Sequence, residues 1–453
     1  MKANMKTQRI RTTKVAVAAL IVIGSAASAA DIHVPGDYTT IQAAVVNAAD
    51  DDTIHIASGV YKEQVQIISR KLTLIGQPGT ILRATEQLSP FSGFAADQFP
   101  VMGVQSSQLT VRGLTFEGER LAGQFAGPGA LQGIYFRESS INVENCAFYG
   151  FRESVPGSEE ANAITGVSVE DDAVNVRVVG CTFADNYTGV FLVGSPTNRS
   201  IDVTIENNTF VGPGPLDSDF THTGILIREG VGGRIAGNTI SRFSYIGTDA
   251  EFPISFGILA INEANYPPEF GILQHLEIEG NTLRDNQVHV AVIKGDGSVV
   301  RNNRFQGTAP RFLPLGLAVS GTNVTIANNQ FENMEEGIRL FGNDPNFGTL
   351  VGIAVDAQVT SNRFCEVATP INRQSLASAI QTGTLTNSCS TNALAITPAV
   401  LVSWPVGINL WTVESATDVT GPWAASSATP FVQYGRHNIA VPTDGERRFF
   451  RLR

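Results

Sequence analysis

Between about residues 110 and 370 the apolar and polar positions recur in units. Nine short segments mark them: Gly113-Leu-Thr-Phe116, Asn145-Cys-Ala-Phe148, Gly180-Cys-Thr-Phe183, Asn207-Asn-Thr-Phe210, Gly237-Asn-Thr-Ile240, Gly280-Asn-Thr-Leu283, Asn302-Asn-Arg-Phe305, Asn328-Asn-Gln-Phe331 and Ser361-Asn-Arg-Phe364. Their last positions lie 32, 35, 27, 30, 43, 22, 26 and 33 residues apart. A unit of about 22 residues with insertions of variable length explains the series, and self-similarity on this scale signals a solenoid. Most units hold a second run, a glycine followed by alternating apolar residues. Examples are Gly133-Ile-Tyr-Phe-Arg137, Gly166-Val-Ser-Val-Glu170, Gly189-Val-Phe-Leu-Val193 and Gly224-Ile-Leu-Ile-Arg228. With period two, the residue after the glycine points inward and the next points out.

Stacking the units predicts vertical columns. The last positions give an apolar ladder from Phe116 to Phe364. Two residues earlier, Asn208, Asn238, Asn281, Asn303, Asn329 and Asn362 give an amide ladder. Asn suits that place because it tolerates the left-handed backbone of a tight turn and its amide reaches both neighbours. Cys146 and Cys181 hold the same position in two preceding units, about one interstrand spacing of 4.8 Å apart. Stacked buried thiols are the preferred reading there and a disulfide the alternative. Cys365–Cys389 is the preferred bridge, closing the end of the repeat.

The predicted fold is an all-β, right-handed parallel β-helix over 31–390. Ile41, Ala44, Val45, Ala48 and Ala49 mark one face of a short helix that caps its open end. From about Leu394 the repeat stops. Short strands separated by turn residues then predict a small antiparallel β-sandwich over 394–453, which carries Trp404, Trp411 and Trp423. Burial of these tryptophans in a small core is preferred over sugar stacking.

Residues 1–30 read as a secretory signal: five basic residues, the apolar run Val15 to Ile23, then small residues up to Ala30. The apolar run is too short to span a bilayer, and no later segment approaches that length. Removing 1–30 leaves 26 basic residues (31 − 5) against 42 acidic ones, a net charge of −16. A chain this acidic repels nucleic acid. It repels polyanionic sugars too, unless basic residues cluster or cations bridge.

The Asn-Asn-x-Phe units and Gly-Ile-x-Ile strands resemble the right-handed parallel β-helices of the pectin lyase-like superfamily. Tyr38-Thr-Thr-Ile-Gln-Ala-Ala-Val45, Asp52-Thr-Ile-His-Ile56, Gly59-Val-Tyr-Lys-Glu63 and Leu72-Thr-Leu-Ile-Gly76 resemble the N-terminal part of pectin methylesterases and NosD-like proteins. The resemblance implies the architecture of about 31–390 and, less specifically, work on extracellular polysaccharide. The Asp-Phe-Ile-Phe-Gly-like and Gly-Arg-Pro-Trp motifs of pectin methylesterases are missing. So are the Asn-Thr-Asp, double Asp and Gly-His-Gly set of polygalacturonases and the Asp-Pro-His-Asp of mannuronan epimerases.

Insertions on both sides of the Gly-Ile strands predict a groove over their outward face. One expected column runs Tyr135, Ser168, Phe191, Leu226, Leu259, Ala291, Ala318, Arg339. The other runs Arg137, Glu170, Val193, Arg228, Ile261, Ile293, Ser320, Phe341. The first half is aromatic and charged, as a carbohydrate cleft requires. The second half is apolar, which implies cover by loops, the tail or a second subunit.

Candidate catalytic residues are Arg137, Glu170 and Arg228; Tyr135, Phe191 and Glu229 are candidate substrate contacts. For uronate elimination an Arg or Lys (Arg137, Arg228 or Lys294) takes the proton, while calcium held by Glu170, Asp171 and Asp172 neutralises the sugar acid. For hydrolysis, Asp217 and Asp219 near His222 are the candidate carboxylates. Against these stand plainer readings: an Arg137–Glu170 surface ion pair, a solvated acidic turn, an isolated structural His222 and a tight turn at Lys294. Two functions remain open, a polysaccharide-binding or polysaccharide-processing protein and a non-catalytic surface protein with the rod as spacer.

Overall fold

The computed structural model describes residues 29–91, 97–125, 131–153, 161–168, 174–195, 199–215, 222–245, 255–262, 275–307, 315–342 and 351–383. In the tail it describes 399–405, 413–416, 420–425, 431–433, 436–442 and 449–452. Compactness breaks between Ser388 and Cys389.

Parallel sheets carry the repeat. One has thirteen strands, running from Asp31–Val34 through Lys71–Gly76, Gln108–Arg112, Ser140–Glu144 and Val174–Val179 to Ala379–Thr382. A second network holds two rows. Its long strands include Phe99–Gln105, Leu131–Arg137, Ala161–Val167, Thr188–Val193, His222–Ile227 and Ser255–Ile261; its short ones include Ala147–Tyr149, Thr182–Ala184 and Thr209–Val211. Every strand pairs in parallel with its counterpart one coil away. The rows merge where Gln330–Leu340 and Arg363–Arg373 run through both without interruption. This is the expected parallel β-helix, in which each coil buries its apolar face only against its neighbours.

The ladders stand in register. Phe116, Phe148, Phe183 and Phe210 are fully buried, with ring centroids 4.8, 5.0 and 4.5 Å apart. From Asn208 to Asn329, each ladder Asn donates its backbone N–H and its side-chain Nδ2 to the Oδ1 of the next. For Asn238 to Asn281 these distances are 2.9 and 3.0 Å. The left-handed residue, however, is the one before the ladder Asn. Asn145, Asn207, Asn302, Asn328 and Ser361 have φ of 52–57°, and Gly113, Gly180, Gly237 and Gly280 have 63–70°. The first place of each segment therefore makes the turn, and the second supplies the amide.

Cys146 and Cys181 are free and buried. Cys146 N–H donates to Cys181 Sγ at 3.4 Å, and Cys181 N–H donates to Asn208 Oδ1 at 2.8 Å, so sulfur takes the place of the amide oxygen. Cys365 is disulfide-bonded; its expected partner Cys389 lies outside the described residues.

At the N-terminal end a helix, Ile41–Asn47, buries Ile41, Ala44 and Val45. Thr40 caps it, its Oγ1 accepting from Ala43 N–H at 3.1 Å. The Glu63 carboxylate accepts from the Ile41 and Gln42 N–H groups, each at 2.9 Å. That satisfies the free donors of a first turn. Ala49 lies beyond the helix and is exposed.

In the tail, Ala399–Pro405, Phe431–Gln433 and Arg436–Pro442 form one antiparallel sheet. Val413–Ala416, Ala424–Ala425 and Phe449–Leu452 form a second. Trp423 is partly exposed and carries the Arg451 guanidinium 4.4 Å from its ring centroid.

Candidate functional site

The register of the long strands fixes which side chains share the outward face. Tyr135 lies beside Thr165, which lies beside Phe191; Arg137 lies beside Val167, which lies beside Val193. Two expected members of these columns, Ser168 and Glu170, are therefore replaced by Thr165 and Val167. The shift is three residues. Ala163, not Gly166, sits where the neighbouring coils have Gly133 and Gly189. Gly166 instead faces the core, where a Cβ would stand 2.0 Å from Phe136 Cζ. The glycine is required by the Phe136 ring and does not open the strand. Glu170, Asp171 and Asp172 lie outside the described residues, as do Asp217 and Asp219.

Tyr135 is 2% exposed. Phe91 covers it edge-on at 5.9 Å, and Phe91 itself lies on Gly103, where a Cβ would be 2.7 Å from the ring. With Val167 and Val193 they make an apolar cluster on the outside of the sheet. Tyr135 is thus packing, not an exposed platform for a sugar; Phe191, partly exposed in the next column place, remains open.

The two arginines differ. Arg228 forms a two-pronged pair with Glu229, at 3.1 Å on each prong, and Glu229 is 1% exposed. Glu229 is therefore the buried counter-ion of Arg228, which is already neutralised. Arg137 has no ion pair or side-chain hydrogen bond among the described residues, and its Nε is buried without an acceptor. A half-buried guanidinium left in that state is costly unless something outside the chain pairs with it.

The opposite margin of the face carries a polar row that the pattern did not reveal. Gln132, Asn162, Thr188 and Thr223 follow one another in register and are at most 5% exposed. Thr165 Oγ1 donates to Gln132 Oε1 at 2.6 Å, and Gln132 Nε2 donates to Gln98 at 2.9 Å. Beside this row, Tyr187 donates to the buried Glu153 at 2.8 Å, and its ring lies 4.9 Å from that of His222. His222 Nδ1 meets Ser255 Oγ at 3.3 Å, while its Nε2 and Thr223 Oγ1 have no partner among the described residues. Burial, helped by the charge of Arg152, pulls the His222 pKa down to about 4, so the ring is neutral. The run Glu153, Tyr187, His222 is scattered over three coils. A sequence signal exists only as polar residues standing just before the Gly-Ile strands.

Towards the C-terminus the face turns apolar, as expected: Phe256, Val288 and Leu315, then Leu259, Ala291 and Ala318, then Ile261, Ile293 and Phe341. Val288, Ala291, Ile293, Leu315, Ala318 and Phe341 are at most 5% exposed. These six are covered within the chain. Lys294, with φ 54°, opens the expected tight turn, in which Asp296 Oδ1 accepts from Thr322 N–H at 2.6 Å. Among the described residues no three His, Cys, Asp or Glu side chains are placed to hold a metal.

Stacked parallel coils, an internal amide ladder and a capped N-terminal end define the chain as a parallel β-helix protein. Its sequence matches the right handed beta helix region family over residues 89–240 and 165–368, and the chain belongs to that family. No curated protein sequence matches it. Among solved structures, an alginate lyase from Paenibacillus sp. is similar at 15% identity, covering 79% of this chain and 95% of that one with a TM-score of 0.40. The periplasmic alginate epimerase AlgG is similar at 12% identity, covering 74% and 77%, with a TM-score of 0.46. A lacto-N-biosidase from Eubacterium ramulus is similar at 11%, covering 75% and 63%, with a TM-score of 0.46.

Proposed function

We propose that the protein is exported and binds a carboxylate-bearing polysaccharide across the outward face of its N-terminal coils, and that it processes the bound chain. The observation that carries this reading is Arg137. The mature chain would have a net charge of −16, and arginines such as Arg112, Arg152, Arg177, Arg228 and Arg234 are all tied to carboxylates. Among the described residues of this face, Arg137 is the arginine that is not. It is the place where a sugar carboxylate supplies the missing counter-charge through two charge-assisted hydrogen bonds. The polar row from Gln132 to Thr223 offers hydroxyl and amide groups to the sugar, and Phe191 an apolar surface. Asp171 and Asp172 remain the proposed holders of a bridging calcium ion.

The test is a panel of uronate-containing and neutral polysaccharides, each with and without calcium, using wild type and Arg137→Ala. Ultraviolet absorbance follows unsaturated uronates and a reducing-end assay follows hydrolysis. Charge-assisted bonds of about 1.5–3 kcal/mol predict a ten- to hundredfold loss of affinity for uronate chains in Arg137→Ala. Equal binding by the two proteins would overturn this assignment. One observation favours a second reading, a non-catalytic surface protein with the solenoid as a rigid spacer. Glu153, Tyr187 and His222 are each at most 5% exposed, so the acid–base groups on this margin are shielded. Binding that Arg137→Ala weakens, without product from any sugar, decides for that reading.

A further inference from the structure

The thirteen-strand sheet has a second concavity that the proposed groove does not use. Two adjoining depressions, of about 360 and 570 Å³, share Lys71, Gln108 and Ser140 in their walls. Together they form a trough across Lys71–Gly76, Gln108–Arg112, Ser140–Glu144 and Val174–Val179, and onto the turns that lead into these strands. Elsewhere this outer face is closed by cross-strand ion pairs, with Arg234 between Glu206 and Glu279 and Arg301 against Glu279.

The trough is different. Its floor is two columns in register: Thr73, Thr110, Asn142 and Arg177, and beside them Lys71, Gln108, Ser140 and Asn175. Every one of these side chains is polar. The side chains of Thr73, Gln108, Thr110 and Asn175 make no hydrogen bond within the described chain, and the Arg70 guanidinium on the wall has no carboxylate partner. Lys71 and Arg177, by contrast, are held, Lys71 by Asp51 at 2.6 Å and Arg177 by Glu144, and Asp50 and Glu138 stand in the same wall as Arg70. Unused hydroxyls and amides therefore stand on three of these four coils, the exception being the coil of Ser140 and Asn142, whose side chains meet Asn175 N–H, Glu144 and Arg177; the coils lie about 4.8 Å apart along the solenoid axis. That is close to the rise of one sugar residue in an extended glycan, so successive sugars meet successive rungs. Pockets of this volume hold small ligands or short chain segments. A floor with no aromatic side chain binds through hydrogen bonds alone, and weakly.

We propose that this trough is a second glycan-binding site, one that takes an extended, hydroxyl-rich segment of about three sugars with a carboxylate at Arg70. It is separate from the Arg137 face. A long polymer engaged at both places gains from linkage, because the second contact becomes intramolecular.

The experiment is affinity electrophoresis of the full chain in gels containing polygalacturonate, polymannuronate or a neutral galactan. Wild type is compared with Gln108→Ala/Asn175→Ala, with Arg70→Ala, and with Arg137→Ala. All are first checked for an unchanged melting temperature, which exposed substitutions of this kind should preserve. The expected result is retardation in an acidic gel that falls by about tenfold in apparent affinity for the double variant, the loss from two hydrogen-bonding side chains. Arg70→Ala should lose retardation in the acidic gels and keep any seen in the neutral one. Arg137→Ala should retain residual retardation that the trough substitutions then remove. A double variant that migrates like wild type in every gel overturns the trough, whatever Arg137→Ala does. Loss in the trough variants with none in Arg137→Ala overturns the Arg137 reading and leaves the trough standing. No retardation of wild type in any gel overturns the trough as a site for these glycans.

Discussion

Asn281→Ala is the sharpest test of how the solenoid holds together. Asn281 sits in the middle of the amide ladder and is 1% exposed. Its Oδ1 accepts from Asn238 N–H at 2.9 Å and from Asn238 Nδ2 at 3.0 Å. Its Nδ2 donates to Ile235 C=O at 2.9 Å and to Asn303 Oδ1 at 3.0 Å. Alanine removes all four bonds. Asn238 Nδ2 still reaches Ile205 C=O, and Asn303 Oδ1 still accepts from Asn281 N–H. The Asn238 N–H is left without its acceptor, and Ile235 C=O loses its side-chain donor. At roughly 1–3 kcal/mol for each buried group deprived of its partner, and a little more for the space left, the expected cost is about 3–5 kcal/mol. Urea unfolding of the full chain, followed by circular dichroism, gives the measurement. Asn302→Gly is the control. Asn302 stands next to the ladder with φ 57°, and its exposed side chain makes one long bond, Nδ2 to Glu279 Oε1 at 3.3 Å, so glycine there should change stability by under about 1 kcal/mol. A loss below about 1 kcal/mol for Asn281→Ala would refute the idea that the ladder amides are the polar glue of the coils.

Two more predictions follow from the core. Gly166→Ala puts a Cβ 2.0 Å from Phe136 Cζ, and the ring is fully buried, so a loss of several degrees in melting temperature is expected; an unchanged melt contradicts the register of the Ala161–Val167 strand. His222 has a folded pKa near 4 against 6.5 when unfolded. A depressed histidine pKa means the unfolded chain binds the proton more readily, so this contribution is complete above pH 6.5 and is lost as pH falls towards 4. The expected loss is roughly 3 kcal/mol. His222→Gln should flatten that part of the stability–pH curve, and an identical curve in the variant removes His222 as its cause.

Much of the architecture was legible because a solenoid writes its contacts into a local period. Phe116 to Phe364 and Asn208 to Asn362 recur at fixed offsets from one another, so alignment of segments already gives the stacking. The outward face was harder. The coil around Gly166 has two plausible origins for its strand, Ala163-Ile164 and Gly166-Val167, and only the demand of the Phe136 ring for space decides between them. That choice moved two outward positions of this coil by three residues and set Val167 beside Arg137. Burial was also invisible from the pattern. Tyr135 has the outward position it was expected to have, yet Phe91 reaches over Gly103 to cover it, and no periodicity encodes that contact. The Glu153, Tyr187 and His222 row escaped for a related reason, since its members stand at the ends of insertions, where spacing varies from coil to coil.

The amide ladder also has a direction. From Asn208 to Asn329, every ladder Asn turns its oxygen towards the preceding coil and donates from its NH2 to the next. Five such links in a row align their dipoles along the solenoid axis, much as peptide units do in a helix, and each bond polarises the one after it. The two ends are consequently unlike. The Asn208 end presents an oxygen and is closed off by Cys181 N–H. The Asn362 end presents a donor group bonded only to Ile326 C=O, with one proton to spare. The coil before Cys146 carries the buried Leu114 at this position, so towards the N-terminus the ladder passes from amide to sulfur and then to an apolar side chain.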